Sequence, residues 1–440
     1  MKPKRVLILA MCMFMTAGIF AGCAGKGGTD GTEATTAAAG QTAAGETAAT
    51  QPADEKVTLT YWQHSSQARD NMMKTIAYEF MQANQNINVK MEFIPQTDYS
   101  TKLISSLATD AAPDVFQVQS GSIAKMVKAD AIQPLDETVM STDTIKNDFI
   151  PATVDALQIG GKYYGMPTDT QTIVLYWNKG LVGTAGLDAE KGPQTWDEML
   201  AWAKKLTKSE NGKMAQSGWG EKGYSPEVQA IVCQYGGKIA DENGNYIFAD
   251  DPKSIEAIKF IVDAYKVDKV YDTQFIANWA GFRVGKVAMM LGHPAMLGNL
   301  KQTAPTVDLG IGLIPAKDGK HTTVVTSWAY VVSKKTGPEA ATKLVQFLSS
   351  PEVEKRWTQQ TGELPARKAL LTDADLVADA KLATLLSSLN DATVGYIQDA
   401  AQYDIYSKGF EELILTDVSL EEGLKKIQTS LNEEVAKALK

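Results

Sequence analysis

Four of the eight tryptophans stand at strand ends or in irregular segments: Trp62, Trp219, Trp279 and Trp328. An indole so placed offers a flat apolar platform with one hydrogen-bond donor at its edge. Two strand ends also carry polar side chains, in Trp62-Gln63-His64-Ser65-Ser66 and Gln119-Ser120-Gly121. Aromatic faces beside amides, hydroxyls and imidazoles suit capture of a small molecule. Ordinary βα turns and half-buried core tryptophans would show the same local pattern, so both readings stay open. Trp196, Trp202 and Trp357 lie within helical patterns and read as packing residues. Signals for catalysis are absent. The three histidines (His64, His293, His321) are far apart and form no zinc-type motif. No Gly-x-Ser-x-Gly, His-Glu-x-x-His or Walker loop occurs. A glycoside hydrolase needs two acids about 5 to 9.5 Å apart, and no acid pair sits in a recognisable motif. No enzyme activity and no cofactor are expected.

The elements that would position these residues alternate between strand and helix. Val57, Leu59 and Tyr61 alternate with Thr58 and Thr60, a period of two. Met72, Met73, Ile76 and Phe80 then fall on one helical face. Ile87, Val89, Met91 and Phe93 mark a second strand, Tyr99, Leu103, Ile104 and Leu107 a second helix, and Asp114 to Val118 a third strand. A βαβαβ order predicts a parallel sheet, whose ligands bind beyond the carboxyl ends of its strands. Further on, Thr195 and Glu198 form a capping box ahead of Met199, Leu200 and Ala203. Asp241-Glu242-Asn243-Gly244-Asn245 lacks the spaced acids and final Glu of a calcium loop, and its Asn-Gly predicts a hairpin turn. A helix at 254–265 and more strands beyond it indicate a second α/β lobe.

The N-terminus has Lys2, Lys4 and Arg5 before an apolar run from Val6 to Phe20, then Ala21 and Gly22. That is the layout of a secretory signal peptide over residues 1–22, and its 15-residue apolar run is too short for a transmembrane helix, which needs roughly 20. Phe20-Ala21-Gly22-Cys23 resembles the bacterial lipobox, with Phe20 where Leu is preferred. The resemblance implies lipidation of Cys23. Between Ala24 and Pro52, 22 of 29 residues are Ala, Gly or Thr, with no aromatic, Leu, Ile or Val. Such a segment buries no apolar surface to offset its ordering entropy, so residues 23–56 read as a disordered tether. Lys2, Lys4 and Arg5 leave with the signal peptide, which takes the net charge from −9 to −12. An acidic balance argues against a nucleic-acid partner. Only Cys23 and Cys233 then remain, so no structural disulfide is expected, and Cys233 reads as a buried small hydrophobe.

Nine stretches in order carry a family resemblance. They are Pro113-Asp114-Val115-Phe116, Ile132-Gln133-Pro134-Leu135-Asp136, Gly161-Lys162-Tyr163-Tyr164-Gly165-Met166-Pro167 and Leu175-Tyr176-Trp177-Asn178-Lys179. Thr195-Trp196-Asp197-Glu198, Gly236-Gly237 and Gly285-Lys286-Val287-Ala288-Met289-Met290 follow. Ser327-Trp328-Ala329-Tyr330 and Gly362-Glu363-Leu364-Pro365-Ala366-Arg367 complete them. Trp177 departs from the pattern, which commonly has Tyr there. The chain resembles the extracellular solute-binding proteins of ABC sugar importers, the family of the maltose-binding protein. The resemblance implies an α/β two-lobed periplasmic-binding-protein fold, each lobe a mostly parallel sheet flanked by helices, with a three-segment hinge. Lobe I would be 57–167 with 316–350 and lobe II 168–315 with 351–440, crossing near Pro167, Ile314-Pro315 and Ser350. It implies a sugar in the cleft, stacked most of all on Trp328, then on Trp62, Trp279 and Trp219. Gln63, His64, Gln119, Ser120, Asp169, His293, Glu363 and Arg367 would bind its hydroxyls, although Arg367 could instead form a structural ion pair. A polyamine or glycerol-phosphate-type solute is the alternative on the same fold. The expected protein is a monomer, held by lipid at the outer face of the cell membrane and delivering its solute to ABC permease subunits.

Overall fold

The computed structural model describes residues 56–440 apart from 110, 221–224, 242–243, 273, 398–399 and 440. The signal segment, Cys23 and the tether up to residue 55 lie outside the described residues, as do Glu242 and Asn243 of the expected turn. That turn is closed on both sides of them: Asp241 N donates to Asn245 O at 2.8 Å, and Ala240 bridges Tyr246.

The βαβαβ unit forms from the strand Val57–His64, helix Gln67–Ala83, strand Ile87–Ile94, helix Gln96–Leu107 and strand Val115–Gln119. Met72, Met73, Ile76 and Phe80 are all buried, which is why their spacing is helical. The first strand pairs in parallel with both others. It also runs further than its alternation suggests. Trp62, Gln63 and His64 pair with Glu92, Phe93 and Ile94, so they are strand residues and not a loop. The long strand Thr323–Ser333 joins the same sheet, antiparallel to Val115–Gln119 and Gly165–Gln171.

The second sheet has the order Leu309–Leu313, Val174–Asn178, Val287–Gly292, Lys213–Trp219, Lys208–Glu210. Lys213–Trp219 and Val287–Gly292 run parallel, and the remaining described pairs antiparallel. Both sheets are therefore mixed where mostly parallel ones were expected. The physical reason lies in the connections. A parallel neighbour needs a long crossover, whereas a strand arriving straight from the other lobe can pair antiparallel without one.

Period-two alternation builds the second core. Leu175 and Trp177 join one apolar cluster with Trp196, Trp219, Ile261 and Phe410, while Val174 and Tyr176 join another with Phe282, Met290 and Leu297. The first core gathers Tyr61, Phe80, Phe116, Tyr330, Leu344 and Trp357. Thr195 Oγ1 accepts from Glu198 N at 3.2 Å, while Glu198 Oε2 accepts from Gln194 N at 2.7 Å, starting the helix Trp196–Leu206 as expected. Cys233 is half-buried against the second core with a free thiol, pushed up to about 11 by burial. It is less enclosed than a core residue would be.

Three segments pass between the lobes and bond to one another. The strand Gly165–Gln171 stays in the first sheet to its end, so the first crossing falls at Thr172 and Ile173, five residues beyond Pro167. The second runs between Leu313 and Thr323. Ile173 N donates to Thr323 Oγ1, which donates to Ile173 O, each at 3.0 Å. The third crossing differs from the expected Ser350. Ser350 caps the helix Pro351–Thr361, whose Val353 and Trp357 pack in the first core. The chain changes lobe only after that helix, where Leu364 exchanges backbone bonds with Thr170 at 2.8 and 3.0 Å.

The helix Ala295–Thr303 meets the end of Pro351–Thr361 through Gly298. A methyl there would overlap the backbone carbonyl of Thr361. Gly298→Ala is expected to cost about 1–3 kcal/mol through overpacking, read as a lower denaturant midpoint at unchanged slope.

Candidate functional site

A cavity of about 770 Å³ draws its walls from both lobes. The first lobe supplies His64, Ser66, Arg69, Gln119 and Trp328, and the second Glu227, Asn278, Trp279, His293 and Asn299. Of the residues singled out in the sequence, His64, Gln119, Trp279, His293, Trp328 and Glu363 line this one space.

Trp328 and Gln119 are register partners on antiparallel strands, which sets them side by side at the sheet's end. The Trp328 ring lies 4.2 Å from the His64 ring, tilted by 34°, with the Tyr99 ring edge-on at 6.1 Å. His64 closes the first strand and is 6% exposed. Burial, and then the charge of Arg69, push its pKa well below the usual histidine value. Burial lowers His293 to about 4. Its Nδ1 meets the Thr172 carbonyl at 3.1 Å. A carbonyl only accepts, so Nδ1 carries the proton in that bond. Both imidazoles are neutral at pH 7 and act as hydrogen-bonding groups. Trp279 is half-buried against the second lobe's core, beside the buried Asn278.

Arg69, Glu227 and Glu363 are the buried charged residues of the cavity lining, and Arg69 and Glu363 are paired. Arg69 Nε donates to Glu363 Oε1 at 2.6 Å, and Nη2 bonds the same oxygen. Asp169 stands 3.8 Å from Nη2. Trp357 Nε1 donates to Glu363 Oε2 at 2.6 Å. Burial works against the Arg69 charge, but the two carboxylates outweigh it and leave its pKa raised. Burial lifts Glu363 to about 7, with Arg69 opposing and Asp169 adding to the rise.

The other expected residues are placed elsewhere. Trp62 lies beneath the Lys102 ammonium, 4.7 Å from it, and outside the cavity lining. Gln63 is fully buried, accepting from Tyr61 at 2.9 Å and donating to Asp70 at 3.2 Å. Ser120 is buried in the short turn Ser120–Ser122. Asp169 is 2% exposed behind the wall, accepting from Thr168 and, at 2.5 Å, from Gln171. Trp219 is core, with its ring 6.0 Å from Trp196 and 6.2 Å from Phe260. Arg367 ties the third crossing to the first lobe, donating to Ser349 O at 2.7 Å and Asp148 at 2.9 Å, with its guanidinium over Phe149.

Arg69, Gln171, Glu227, Asn278 and Asn299 line the cavity without having been singled out. Arg69 had a signal. It precedes Met72, Met73 and Ile76 by three, four and seven residues, so it falls on the helix's buried stripe. Glu227, an acid in the first turn of the helix Ser225–Gln234, reads as an ordinary dipole partner.

Removing Arg69 tests the ion cluster. Arg69→Met should destabilise the protein by about 3–5 kcal/mol, because two carboxylates stay buried without a cation. The loss should be smaller at pH 5 than at pH 8, since the abandoned Glu363 carboxyl can take up a proton. In the wild type, folding raises the Glu363 pKa from 4.5 to about 7. Its contribution to stability is thus fully present below 4.5 and is lost as pH rises through 7. Denaturant melts of both proteins at the two pH values check the sign.

The model of the bacterial extracellular solute-binding protein family matches residues 75–384. A maltotriose-binding protein of Pyrococcus abyssi is 24% identical over 333 residues, 73% of this chain and 69% of that one. The sn-glycerol-3-phosphate-binding periplasmic protein of Escherichia coli K12 is 25% identical over 334 residues, 71% of this chain and 75% of its own. Among solved structures, an ABC transporter solute-binding protein of Thermotoga lettingae, bound with alpha-D-tagatose, superposes with a TM-score of 0.75 at 22% identity. It covers 86% of this chain and 99% of its own. Two α/β lobes, three crossings of which the first bonds to each of the others, and a cavity walled by both lobes agree with that fold. The chain belongs to the bacterial extracellular solute-binding protein family.

Proposed function

We propose that this protein captures a carbohydrate, a mono- or oligosaccharide, between its lobes and delivers it to the membrane subunits of an ABC importer. The observation that carries the reading is the cavity wall. Half-buried Trp328 and Trp279 can take the C–H faces of a sugar, and neutral His64 and His293 with Gln119, Asn278 and Asn299 can take its hydroxyls. Trp62, Gln63, Ser120, Asp169, Trp219 and Arg367 act behind this wall as scaffold. The Pyrococcus relative named for maltotriose supports the same class of ligand.

The Escherichia coli relative named for sn-glycerol-3-phosphate raises the anionic alternative. A phosphate ester needs cationic donors with unspent charge. Among the described residues Arg69 is the one Arg or Lys lining the cavity, and two of its nitrogens are on Glu363 with Asp169 behind. The cavity charge therefore favours a neutral polyol over a phosphate. Capture works by population shift: the solute favours the closed arrangement because there it touches both lobes. The protein carries its solute without turning it over and works as a monomer.

At about 100 times its dissociation constant the correct sugar should stabilise the fold by about 2.7 kcal/mol. A thermal-shift panel of mono- and oligosaccharides, polyamines and phosphate esters reads this directly. Trp328→Ala should remove the response while keeping a cooperative melt. A response to polyamines or phosphate esters, with none to any sugar, overturns the assignment.

The protein is held at the outer face of the cell membrane by lipid on Cys23. The apolar run from Val6 to Phe20, the small residues before Cys23 and the Ala/Gly/Thr tether after it support this. Two or more acyl chains hold where one binds only reversibly. Cys23→Ser should move the folded protein from the membrane pellet to the soluble fraction, and an unchanged pellet would refute the anchor.

A further inference from the structure

We propose that the solute is a saccharide bearing a compact apolar substituent, an aryl or acyl group, which seats in a second cavity beside Trp328. This rests on the carbohydrate reading above and narrows it.

A neighbouring cavity of about 520 Å³ shares Ser100, Gln119 and Trp328 with the main one. The two spaces differ in chemistry. Imidazoles, carboxylates and amides line the first, whereas Leu103, Ile104, Leu107, Val118 and Met126 wall the second. Its one charged lining residue among those described, Lys125, is paired with Glu434 at 3.3 Å.

The apolar wall comes from a stripe wider than the sheet can cover. On the helix Gln96–Leu107, Tyr99 and Leu103 are buried, but Ile104 remains 64% exposed. Leu103 packs in the first core, whereas Ile104, one position on, stays largely in water and is not needed to hold the fold. With Leu107 and Met126, which also line this cavity, Ile104 is placed to take an apolar group continuing from a sugar stacked on Trp328. The second lobe also reaches this cavity, through Ala401 of the helix Ala400–Leu415. A substituent there touches both lobes, as the sugar itself must, and so adds to the preference for closure.

The occupant is part of the solute because the two spaces adjoin, with Ser100, Gln119 and Trp328 lining both. A free sugar would leave the apolar wall wet. Burying even one more methylene is worth roughly tenfold or more in discrimination.

The test uses matched pairs of 4-nitrophenyl and methyl glycosides of glucose, mannose and galactose, in both anomers, titrated calorimetrically into the full folded chain. In the pair with the correct sugar, the 4-nitrophenyl form should bind at least about tenfold tighter. Ile104→Ser and Met126→Ser should bring that ratio towards one while the methyl glycoside keeps its affinity. Equal affinities within the binding pair, or a ratio that survives both substitutions, overturn the apolar subsite and leave the carbohydrate reading intact. No heat from any pair, while a polyamine or phosphate ester binds, overturns both together.

Discussion

Arg69 enters the interior with Nε and Nη2 committed to Glu363 and with Asp169 close behind. A guanidinium out of water is costly unless carboxylates accompany it. Those carboxylates come from distant parts of the chain: Asp169 from the strand that leads into the first crossing, Glu363 from the third. The first-lobe helix Gln67–Ala83 is thereby tied to two of the segments about which the lobes would turn. Asp169 is also the register partner of Trp328. The position of the aromatic wall therefore depends on this buried ion cluster.

The same cluster shapes the field in the cavity. Its carboxylates hold the guanidinium, and its guanidinium helps keep His64 uncharged. His293 is kept neutral mainly by burial. What lines the cavity is a set of hydrogen-bonding groups with little unspent positive charge. Such a surface discriminates by geometry and not by long-range attraction. The crossings add a second constraint. Bonds between Thr170 and Leu364, and between Ile173 and Thr323, hold the segments to each other. In the proposed closure these segments would turn together, which keeps the cavity floor intact while its walls approach.

Most of the fold was legible because it follows periodicity. Met72, Met73, Ile76 and Phe80 must face a core, and Val57 to Tyr61 must lie on a sheet, whatever the rest does. The parallel run of the first three strands was legible from their helical crossovers, but the antiparallel strands were not, since alternation reads the same in either direction and those arrivals depend on lobe crossings. For the candidate site, the strand-end rule pointed equally to Gln119 and His64, which line the cavity, and to Gln63 and Ser120, which do not. Trp328 and Trp219 look alike as sequence, both closing or interrupting strands. One faces the cavity, and the other packs on Trp196 and Phe260. Which side of a sheet a residue faces is fixed by pairing register, and register comes from the partner strand. Arg69 was legible in principle, as a charge on an apolar helical stripe, but its meaning required the two distant carboxylates.

The split between Gln63 and His64 shows how scaffold and binding surface are made from one short stretch. Strand alternation sends His64 into the cavity and Gln63 behind it, where Gln63 donates to Asp70. Asp70 also accepts from Ser65 and from Ser66 N, so it fastens the start of the helix that follows. Arg69 is in that same first turn. A change that loosened Gln63 or Asp70 would therefore shift Arg69, and with it the Glu363 and Asp169 pair beneath Trp328. Binding specificity in this protein is for that reason a property of its buried polar bonds as much as of the residues that meet the solute.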